Sequence, residues 1–257
     1  MPPAPHETLV VEAADFSVFS GGKTLLEKIT LGIPRGQITA IIGPTNSGKS
    51  LFLRCINRLC ELDRNITTTG TLRVFGHDIH APGTDVATLR RKVGMVFSKP
   101  SLPVAGIFEN VALGPRLVGM HDKNTLARIV EGALREVGLW DQVGQRLAEP
   151  AAALSPEHQQ RLCIARALAA EPVLLLFDEP TAHMDFPSAG HIEDLICRLA
   201  KHVPVILAAQ TPQQASHIAD MTAFILDGRL IEYGTTVQVL TNPQQAQTEA
   251  YVTGRLG

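Results

Sequence analysis

A glycine-bearing loop between an apolar strand and an amphipathic helix restricts the fold of this chain more than any other feature. The strand is predicted at 38–42, and apolar residues recur at helical spacing from Lys49 to Leu62. The loop between them, residues 43–50, fits the pattern G-x-x-x-x-G-K-[ST]. Glycines let such a loop turn so tightly that its N–H groups point inward, beside the positive end of the helix dipole. The sequence therefore predicts a loop that binds phosphate groups.

Each residue of this loop is a candidate for contacts with a nucleotide. The Lys49 ammonium would reach the β- and γ-phosphates of ATP, and the Ser50 hydroxyl would bind Mg²⁺. A glycine-rich turn that matches the pattern by chance is the alternative, and the strand and helix on either side count against it. The candidate nucleotide-binding residues of the loop are Gly43, Pro44, Thr45, Asn46, Ser47, Gly48, Lys49 and Ser50.

Two carboxylates follow a second apolar strand, predicted at 173–177. An apolar strand ending in acid places Asp178 at its carboxyl end, beside the phosphate loop, where it can hold Mg²⁺ directly or through water. The next residue, Glu179, can polarise an attacking water. The alternative is a buried strand that ends in a solvated acidic turn, and the phosphate loop makes this alternative the weaker one.

Strands and helices alternate along the rest of the chain. Strands are predicted at 205–209 and 223–226, and helices at 124–137 and 156–170. This alternation predicts an α/β fold with a mostly parallel sheet. Two hairpins are predicted as well, one over 9–33 with its turn at Ser20-Gly21-Gly22, and one over 67–79 with its turn at Phe75-Gly76.

Composition excludes several classes of protein. The net charge of −2 argues against nucleic acid as a partner, since nucleic acid demands a basic face. Residues 1–11 contain no apolar segment flanked by basic residues, so we expect no secretory signal. No apolar run reaches the ~18 residues needed to span a bilayer, so any link to a membrane must come through a partner. The 4 cysteines have no metal-ligand spacing and are expected to be reduced, mostly buried thiols.

The chain resembles the ABC ATPase family over nearly its whole length. In that family, two such domains sandwich two ATP molecules head to tail, and their motion drives transmembrane partners. The resemblance implies that Asp185 also contacts the nucleotide region, from the loop that follows the two carboxylates. The segments that carry the resemblance are Leu154-Ser155, Gln159-Gln160-Arg161-Leu162, Asp178-Glu179-Pro180-Thr181 and Asp185.

Within that family, the chain is most similar to the ATP-binding subunits of phosphate importers. The cargo assignment rests on analogy alone, because other subunits choose the cargo. The similar segments are 54–59, 89–97, 107–111, 162–167, 241–243 and 248–255.

The resemblance implies a single nucleotide-binding domain over 1–257. Its P-loop core, together with an N-terminal antiparallel β subdomain, is expected at about 1–98 and 161–257. A mainly helical subdomain at about 99–160 is expected to carry the surface that docks the membrane partner.

The family's adenine-stacking aromatic has no direct counterpart in this sequence. Its position aligns with Ser20, which leaves Phe19 or Phe16 as substitutes. Both phenylalanines are equally well explained as core residues on a strand.

Two further residues that the family uses near the γ-phosphate are replaced. Ser98 aligns with the Q-loop glutamine, and its hydroxyl can form a hydrogen bond but is too short to span the same gap. Gln210 aligns with the switch histidine, and its amide can donate a hydrogen bond but cannot titrate there.

The signature loop departs most from the family. The family has Leu-Ser-Gly-Gly-Gln where this chain has Leu154-Ser155-Pro156-Glu157-His158. In the family, the serine that corresponds to Ser155 donates a hydrogen bond to the γ-phosphate across the dimer. Pro156 has no N–H to donate, and Glu157 brings negative charge towards a phosphate. The same residues form a favourable helix start, with a capping hydroxyl, proline at the first position and an acid facing the dipole. We expect the helix to be kept and its anion site to be spoiled.

The sequence thus predicts the ATP-binding subunit of an ABC importer for phosphate or a related oxyanion, with ATP and Mg²⁺ as cofactors. Its expected partners are transmembrane permeases, a second ATPase domain in a homo- or heterodimer and, indirectly, a substrate-binding protein, so we expect it on the cytoplasmic face of the membrane. An alternative is an ATP-binding regulatory or assembly subunit with little hydrolysis. The changes at 98, 157 and 210 favour this alternative, and the intact Glu179 opposes it. A soluble ABC protein acting on DNA or ribosomes would need a coiled-coil insertion or a tandem cassette, and neither is present.

Overall fold

The computed structural model describes residues 9–256. The expected absence of a secretory signal over 1–11 therefore lies mostly outside the described residues, as do residues 1–8 and 257 of the predicted domain. The chain divides into two compact units. The first unit comprises the chain up to Arg90 together with the part from Ala200 onward, and the second comprises Arg91–Leu199.

The helices and strands follow the α/β pattern that the sequence predicts. In chain order they are β1 (Leu9–Ser20), β2 (Lys23–Pro34), β3 (Ile38–Ile42), α1 (Lys49–Ile56), β4 (Ile66–Val74), β5 (His77–Asp78), α2 (Val86–Lys92), β6 (Val93–Val96), α3 (Ile107–Leu117), α4 (Lys123–Glu136), α5 (Trp140–Val143), α6 (Pro156–Leu168), β7 (Leu174–Asp178), α7 (Phe186–Leu199), β8 (Val205–Ala208), α8 (Pro212–Ile218), β9 (Met221–Leu226), β10 (Arg229–Thr235), α9 (Thr236–Thr241) and α10 (Ala246–Val252), with short 3-10 helices at Leu59–Leu62 and Ala151–Ala153.

The first unit contains an antiparallel sheet with the strand order β2-β1-β4-β5. The predicted hairpin over 9–33 is one long antiparallel pair of β1 and β2, which reaches the turn at Gly21-Gly22 and changes register on the way, for example between Ala13 and Phe16. Alternate side chains of β1 point into a core, where Phe16 and Val18 have no exposed surface. This sheet is the predicted N-terminal β subdomain.

A second set of strands in the first unit is built around β3. This strand pairs in parallel with both β8 and β9, and β10 continues antiparallel from β9. All residues of β3 and β8 are buried, as is typical of central parallel strands, whose sequences are mostly apolar. The carboxyl ends of β3 and β8 therefore lie side by side, and this places the loops that follow them next to each other.

The second unit holds the parallel pair β6 and β7, in register from Val93 and Leu174 to Val96 and Phe177. Helices α3 to α7 complete this unit. The residues that were expected to form a separate helical subdomain, 99–160, include α3, α4 and α5. Its division from the core remains a prediction.

Helix α1 ends earlier than its apolar periodicity predicts. It stops at Ile56 instead of Leu62, because Arg58 adopts a left-handed conformation with φ of 58°. The Arg58 guanidinium binds Glu61 through two contacts of 2.8 Å and donates to the Ile79 carbonyl at 3.0 Å. These contacts stabilise a backbone conformation that arginine rarely adopts, and the predicted continuation becomes a 3-10 turn.

Two predictions made from composition can be compared with the structure. Among residues 9–256, no helix combines the length and apolar character needed to cross a bilayer. The cysteines are free thiols, of which Cys55, Cys60 and Cys163 are buried and Cys197 is partly exposed. The prediction of unpaired, mostly buried thiols is confirmed.

Candidate functional site

The phosphate loop takes a backbone path that requires its glycines. Gly43 has φ of 151°, and a Cβ there would lie 2.1 Å from the Ile225 carbonyl oxygen. Gly48 has φ of 110°, and a Cβ there would lie 2.6 Å from the Leu26 side chain. Any other residue would therefore move the loop away from the strands behind it.

Lys49 folds back into the loop that precedes it. Its Nζ donates to the carbonyl oxygens of Gly43 at 2.8 Å and Pro44 at 3.0 Å, and only 5% of the residue is exposed. A buried ammonium must be satisfied by acceptors, and these carbonyls keep the cation inside the curve of the loop. The loop is thus arranged around a positive charge, as a site for phosphate oxygens requires.

The first turn of α1 has no side-chain cap. Its cap residue, Gly48, offers no side-chain hydrogen bond, whereas α4, α6, α8 and α9 each begin with a capping side chain. The N–H groups at an uncapped helix start are the donors that bind phosphate in nucleotide-binding loops. Thr45 and Asn46 are exposed at the rim, while Ser47 is buried and its hydroxyl has no hydrogen-bond partner.

Gln210 follows β8 and so lies near the loop that follows β3. The Ala209 N–H donates to the Ile41 carbonyl at 2.9 Å, which extends the pairing of the two strands up to this residue. Gln210 is exposed, and its own N–H donates to the Gln214 side chain at 3.0 Å. The structure therefore places Gln210 at the edge of the sheet from which the loop after β3 also leaves.

The structure distinguishes between the two phenylalanines of β1. Phe16 is fully buried and stacks on His80 with ring centroids 6.0 Å apart, so it is a core residue. The interpretation of Phe16 as an adenine contact is therefore wrong, since its ring has no free face. Phe19 is partly exposed on the same strand and keeps the predicted role as a proposal.

In the second unit, Asp178 and Ser98 follow neighbouring strands. Asp178 is the last residue of β7 and is only 4% exposed. Glu179 comes next with φ of 48°, a left-handed conformation that is uncommon for glutamate. Ser98, two residues beyond the end of β6, is partly exposed. Because β6 and β7 are parallel, both residues lie at the same edge of the pair.

The altered signature sequence starts α6 as predicted. The Ser155 hydroxyl accepts a hydrogen bond from the His158 N–H at 3.3 Å, and Pro156 occupies the first helical position. The spacing of four residues between Glu157 and Arg161 on a predicted helix could have indicated one ion pair, whereas no local spacing indicated a contact with His191. The Glu157 carboxylate lies 2.8 Å from Arg161 and 3.3 Å from His191, one on its own helix and one on α7.

The charge of Glu157 is therefore partly neutralised within the chain. Burial acts to raise the pKa of this carboxyl, but hydrogen bonds and charges from Arg161 and His191 outweigh burial and lower it. With only 17% of its side chain exposed, Glu157 is part of the packing between α6 and α7. It repels an approaching phosphate less than an unpaired carboxylate would.

Ser155 and Asp185 lie on one cavity of about 200 Å³ in the second unit, together with Glu157 and Ser188. Asp185 also accepts a hydrogen bond from the Ser188 N–H at 2.8 Å, at the start of α7. This hydrogen bond lowers the pKa of the Asp185 carboxyl. The structure thus brings together two of the predicted site residues, although 155 and 185 are well separated in the sequence.

These features define a class of protein. A strand, a glycine loop that encloses a lysine and a helix capped by glycine form a P-loop. A second strand ends in a buried aspartate, which a glutamate follows. This combination belongs to nucleotide-binding proteins that act on phosphate groups.

The chain belongs to the ABC transporter family. The model of that family, described as "ABC transporter", matches residues 26–182. Phosphate import ATP-binding proteins named PstB 1, from serotypes III and V of Streptococcus agalactiae, are each 43% identical over 248 residues, which cover 96% of this chain and 98% of theirs. ATP-binding proteins of this family are ATPases, and the chain is an enzyme of that class.

A solved structure shares the fold. The cbiO1 protein of Clostridium perfringens, part of the ABC transporter complex cbiONQ, superposes with a TM-score of 0.80 over 97% of both chains. The two sequences are 23% identical, so this likeness concerns the fold alone. The fold class predicted from the sequence, an ABC ATPase core with an antiparallel β subdomain and helices, is confirmed.

Proposed function

We propose that this chain is the ATP-binding subunit of an importer and couples ATP hydrolysis to the uptake of phosphate or a related oxyanion. The observation that carries the ATP-binding part is the loop around Lys49, whose ammonium is buried against the Gly43 and Pro44 carbonyls. The 43% identity to phosphate import ATP-binding proteins supports the cargo. Another oxyanion, or a phosphonate, is the alternative cargo.

The residues divide into those that bind the nucleotide and those that act on water. Lys49 and the N–H groups of the loop bind phosphate oxygens. Glu179 accepts a hydrogen bond from the attacking water and orients it towards the γ-phosphate. Phe19 stacks on the adenine ring. Ser155 and Asp185 meet the nucleotide of a second ATPase domain.

Mg²⁺ fits the oxygen donors that the chain offers. The Ser50 hydroxyl on the first turn of α1 and the buried Asp178 carboxylate at the end of β7 are the ligand types that this hard cation prefers. When bound, Mg²⁺ neutralises charge on the β- and γ-phosphate oxygens.

The proposed partners are transmembrane permeases, a second ATPase domain and, indirectly, a substrate-binding protein. The subunit would be peripheral on the cytoplasmic face of the cell membrane. The name of the relatives that are 43% identical, phosphate import ATP-binding proteins, supports this arrangement.

A second function, ATP binding with little hydrolysis, is favoured by the start of α6. Pro156 has no N–H for a phosphate, and Glu157 is held in ion pairs that keep its carboxylate at this position. Ser98 and Gln210 replace residues that act near the γ-phosphate in the family. A subunit of this kind would sense ATP or form the passive half of a heterodimer.

Nucleotide binding and phosphate release on the same purified sample distinguish the two functions. The matched control is Glu179→Gln, which keeps the shape of the side chain and removes its basicity. We expect both proteins to bind Mg-ATP with similar affinity. Release by the unmodified chain well above the control supports the importer ATPase, whereas release equal to the control supports the sensing subunit. Failure to bind ATP would refute both.

A further inference from the structure

One glutamine of α6 joins three segments of the second unit. The Gln160 side chain has no exposed surface, and its amide nitrogen donates to the carbonyls of Phe97 at 2.9 Å and Pro180 at 3.0 Å. A primary amide has two N–H donors, so both are used. The two acceptors lie 63 and 20 residues away in the sequence.

The two carbonyls belong to the segments that carry proposed site residues. Phe97 follows β6 and directly precedes Ser98, while Pro180 directly follows Glu179. The left-handed backbone of Glu179, with φ of 48°, persists only where its surroundings enforce it. The hydrogen bond to Pro180 is one such constraint. The helix that supplies it begins at Ser155.

Packing alone does not explain an amide at this position. The Gln160 carbonyl oxygen is buried without a hydrogen-bond partner, and burying an unsatisfied acceptor costs free energy. A methionine of similar length would fill the space without that cost. The amide is therefore explained by its two donors and not by its volume.

We infer that Gln160 is a positioning residue, a clamp that holds the backbone of Glu179 and of Ser98 against the start of the signature helix. The inference rests on the proposed function, because it assigns Gln160 to the water-orienting carboxylate of that site. This side chain connects three segments, which are α6, the residues after β6 and the residues after β7. It therefore transmits movement of any one of them to the other two. Gln160 itself touches neither nucleotide nor water.

The preceding residue provides a matched control. Gln159 lies on the same helix, and its amide also donates to two backbone carbonyls, those of Ala152 at 3.2 Å and Leu154 at 2.8 Å. Both acceptors lie just before α6, away from β6 and β7. Gln159→Met therefore removes as many hydrogen bonds as Gln160→Met and leaves the clamp intact.

Hydrogen exchange on the full chain tests the clamp without relying on hydrolysis. In Gln160→Met, we expect amide exchange to accelerate about tenfold or more in peptides spanning 97–101 and 179–185, because both segments lose an anchor. In Gln159→Met, exchange in these peptides should match that of the unmodified chain. Equal exchange in the two variants, or acceleration confined to α6, refutes the clamp.

Kinetics on the same variants test the positioning of Glu179. We expect Gln160→Met to keep the affinity for Mg-ATP within about twofold and to lower the rate constant of phosphate release about 100-fold, since a small misplacement of a catalytic group has an effect of that size. A rise in KM at unchanged kcat would overturn the assignment. If the unmodified chain releases no more phosphate than Glu179→Gln, the proposed hydrolysis fails, and the exchange result alone decides the clamp.

Gln160→Glu supplies the conservative variant, and it replaces Gln160→Met if that variant does not fold. A buried carboxyl has a raised pKa, and its protonated form has one O–H that can donate to one of the two carbonyls. We therefore expect the protection factors of 97–101 and 179–185, which are corrected for the intrinsic slowing of exchange in acid, to rise as the pH falls in Gln160→Glu and to stay constant in the unmodified chain. The absence of this difference would contradict a role as donor.

Discussion

Replacing Pro156 and Glu157 together by glycine restores the two glycines of the family's signature sequence, and the structure predicts what this change does to stability. Pro156 occupies the first position of α6, where its fixed φ favours the helix, and Glu157 pairs with Arg161 and His191. Both contributions disappear in the double variant. The Ser155 cap and the Arg161 contact with the Val137 carbonyl remain, so no buried charge loses all of its partners.

The loss of stability follows from these contacts. Replacing the proline adds about 0.4–1 kcal/mol of conformational entropy to the unfolded chain, and glycine in the first turn costs up to about 1 kcal/mol. The Glu157–Arg161 pair spans one helical turn and is only partly screened by solvent, so it contributes about 0.5–1 kcal/mol. Together these losses reach about 1–3 kcal/mol, which lowers the Tm by about 2–12 °C in a chain of this size.

Thermal unfolding followed by circular dichroism, with phosphate release on the same samples, checks this prediction. Pro156→Ala with Glu157→Gln is the control, because it keeps helix propensity and removes the charge. We expect the glycine variant to be less stable than the control and to release phosphate faster than the unmodified chain, since it regains an N–H at 156. An unchanged Tm would show that the contacts at the start of α6 do not stabilise the fold. Unchanged release would show that any catalytic defect lies at 98 or 210.

Three further results are expected. Gly43→Ala should abolish ATP binding in a fluorescent-nucleotide titration and lower the Tm, because its Cβ would lie 2.1 Å from the Ile225 carbonyl, whereas Gly190→Ala, with no atom within 4 Å of its Cβ, should do neither. Burial acts to raise the pKa of the Glu157 carboxyl, but the ion pairs outweigh burial, so the pKa in the folded protein lies below its usual value of 4.5. The ionised carboxylate therefore stabilises the folded protein above pH 4.5, and this contribution is lost as the pH falls below that value. Chemical denaturation of Glu157→Gln and the unmodified chain should therefore converge at acidic pH, and a difference that grows with acid would contradict the ion pairs. Burial raises the pKa of the Tyr233 hydroxyl from its usual value of 10.0 to about 12. The contribution of Tyr233 to the stability of the fold is therefore present below pH 10.0 and is lost as the pH rises through about 12. An absorbance titration should show a tyrosine ionising near that pH, and Tyr233→Phe should remove that step.

The elements around the phosphate loop could be predicted because they depend on near neighbours. The strand predicted at 38–42 is β3 with the same bounds, and α1 starts at Lys49 as its periodicity indicates. Glycines at 43 and 48 indicated a tight turn, and both have positive φ in the structure. The helix start at Ser155 was also predictable, because capping by a hydroxyl and proline at the first position are local interactions.

Contacts between distant segments could not be predicted in this way. Apolar periodicity extends beyond Ile56, but Arg58 and the Ile79 carbonyl, 21 residues further on, end the helix there. Glu157 was interpreted as a charge facing a phosphate, whereas its carboxylate also contacts His191, 34 residues away. Phe16 and Phe19 were equivalent in the sequence, and only burial separates them.

The sequence by itself determined that the chain is an α/β protein with a phosphate loop, two carboxylates after a second strand and a signature helix without its glycines. Each of these features follows from residue types at short spacings, where backbone geometry leaves few choices. Only the tertiary structure decided that Lys49 is enclosed by its own loop, that Glu157 is paired and that Gln160 joins β6, β7 and α6. These contacts depend on how separate elements pack, and a pattern of neighbouring residues contains no information about which distant carbonyl or carboxylate a side chain will meet.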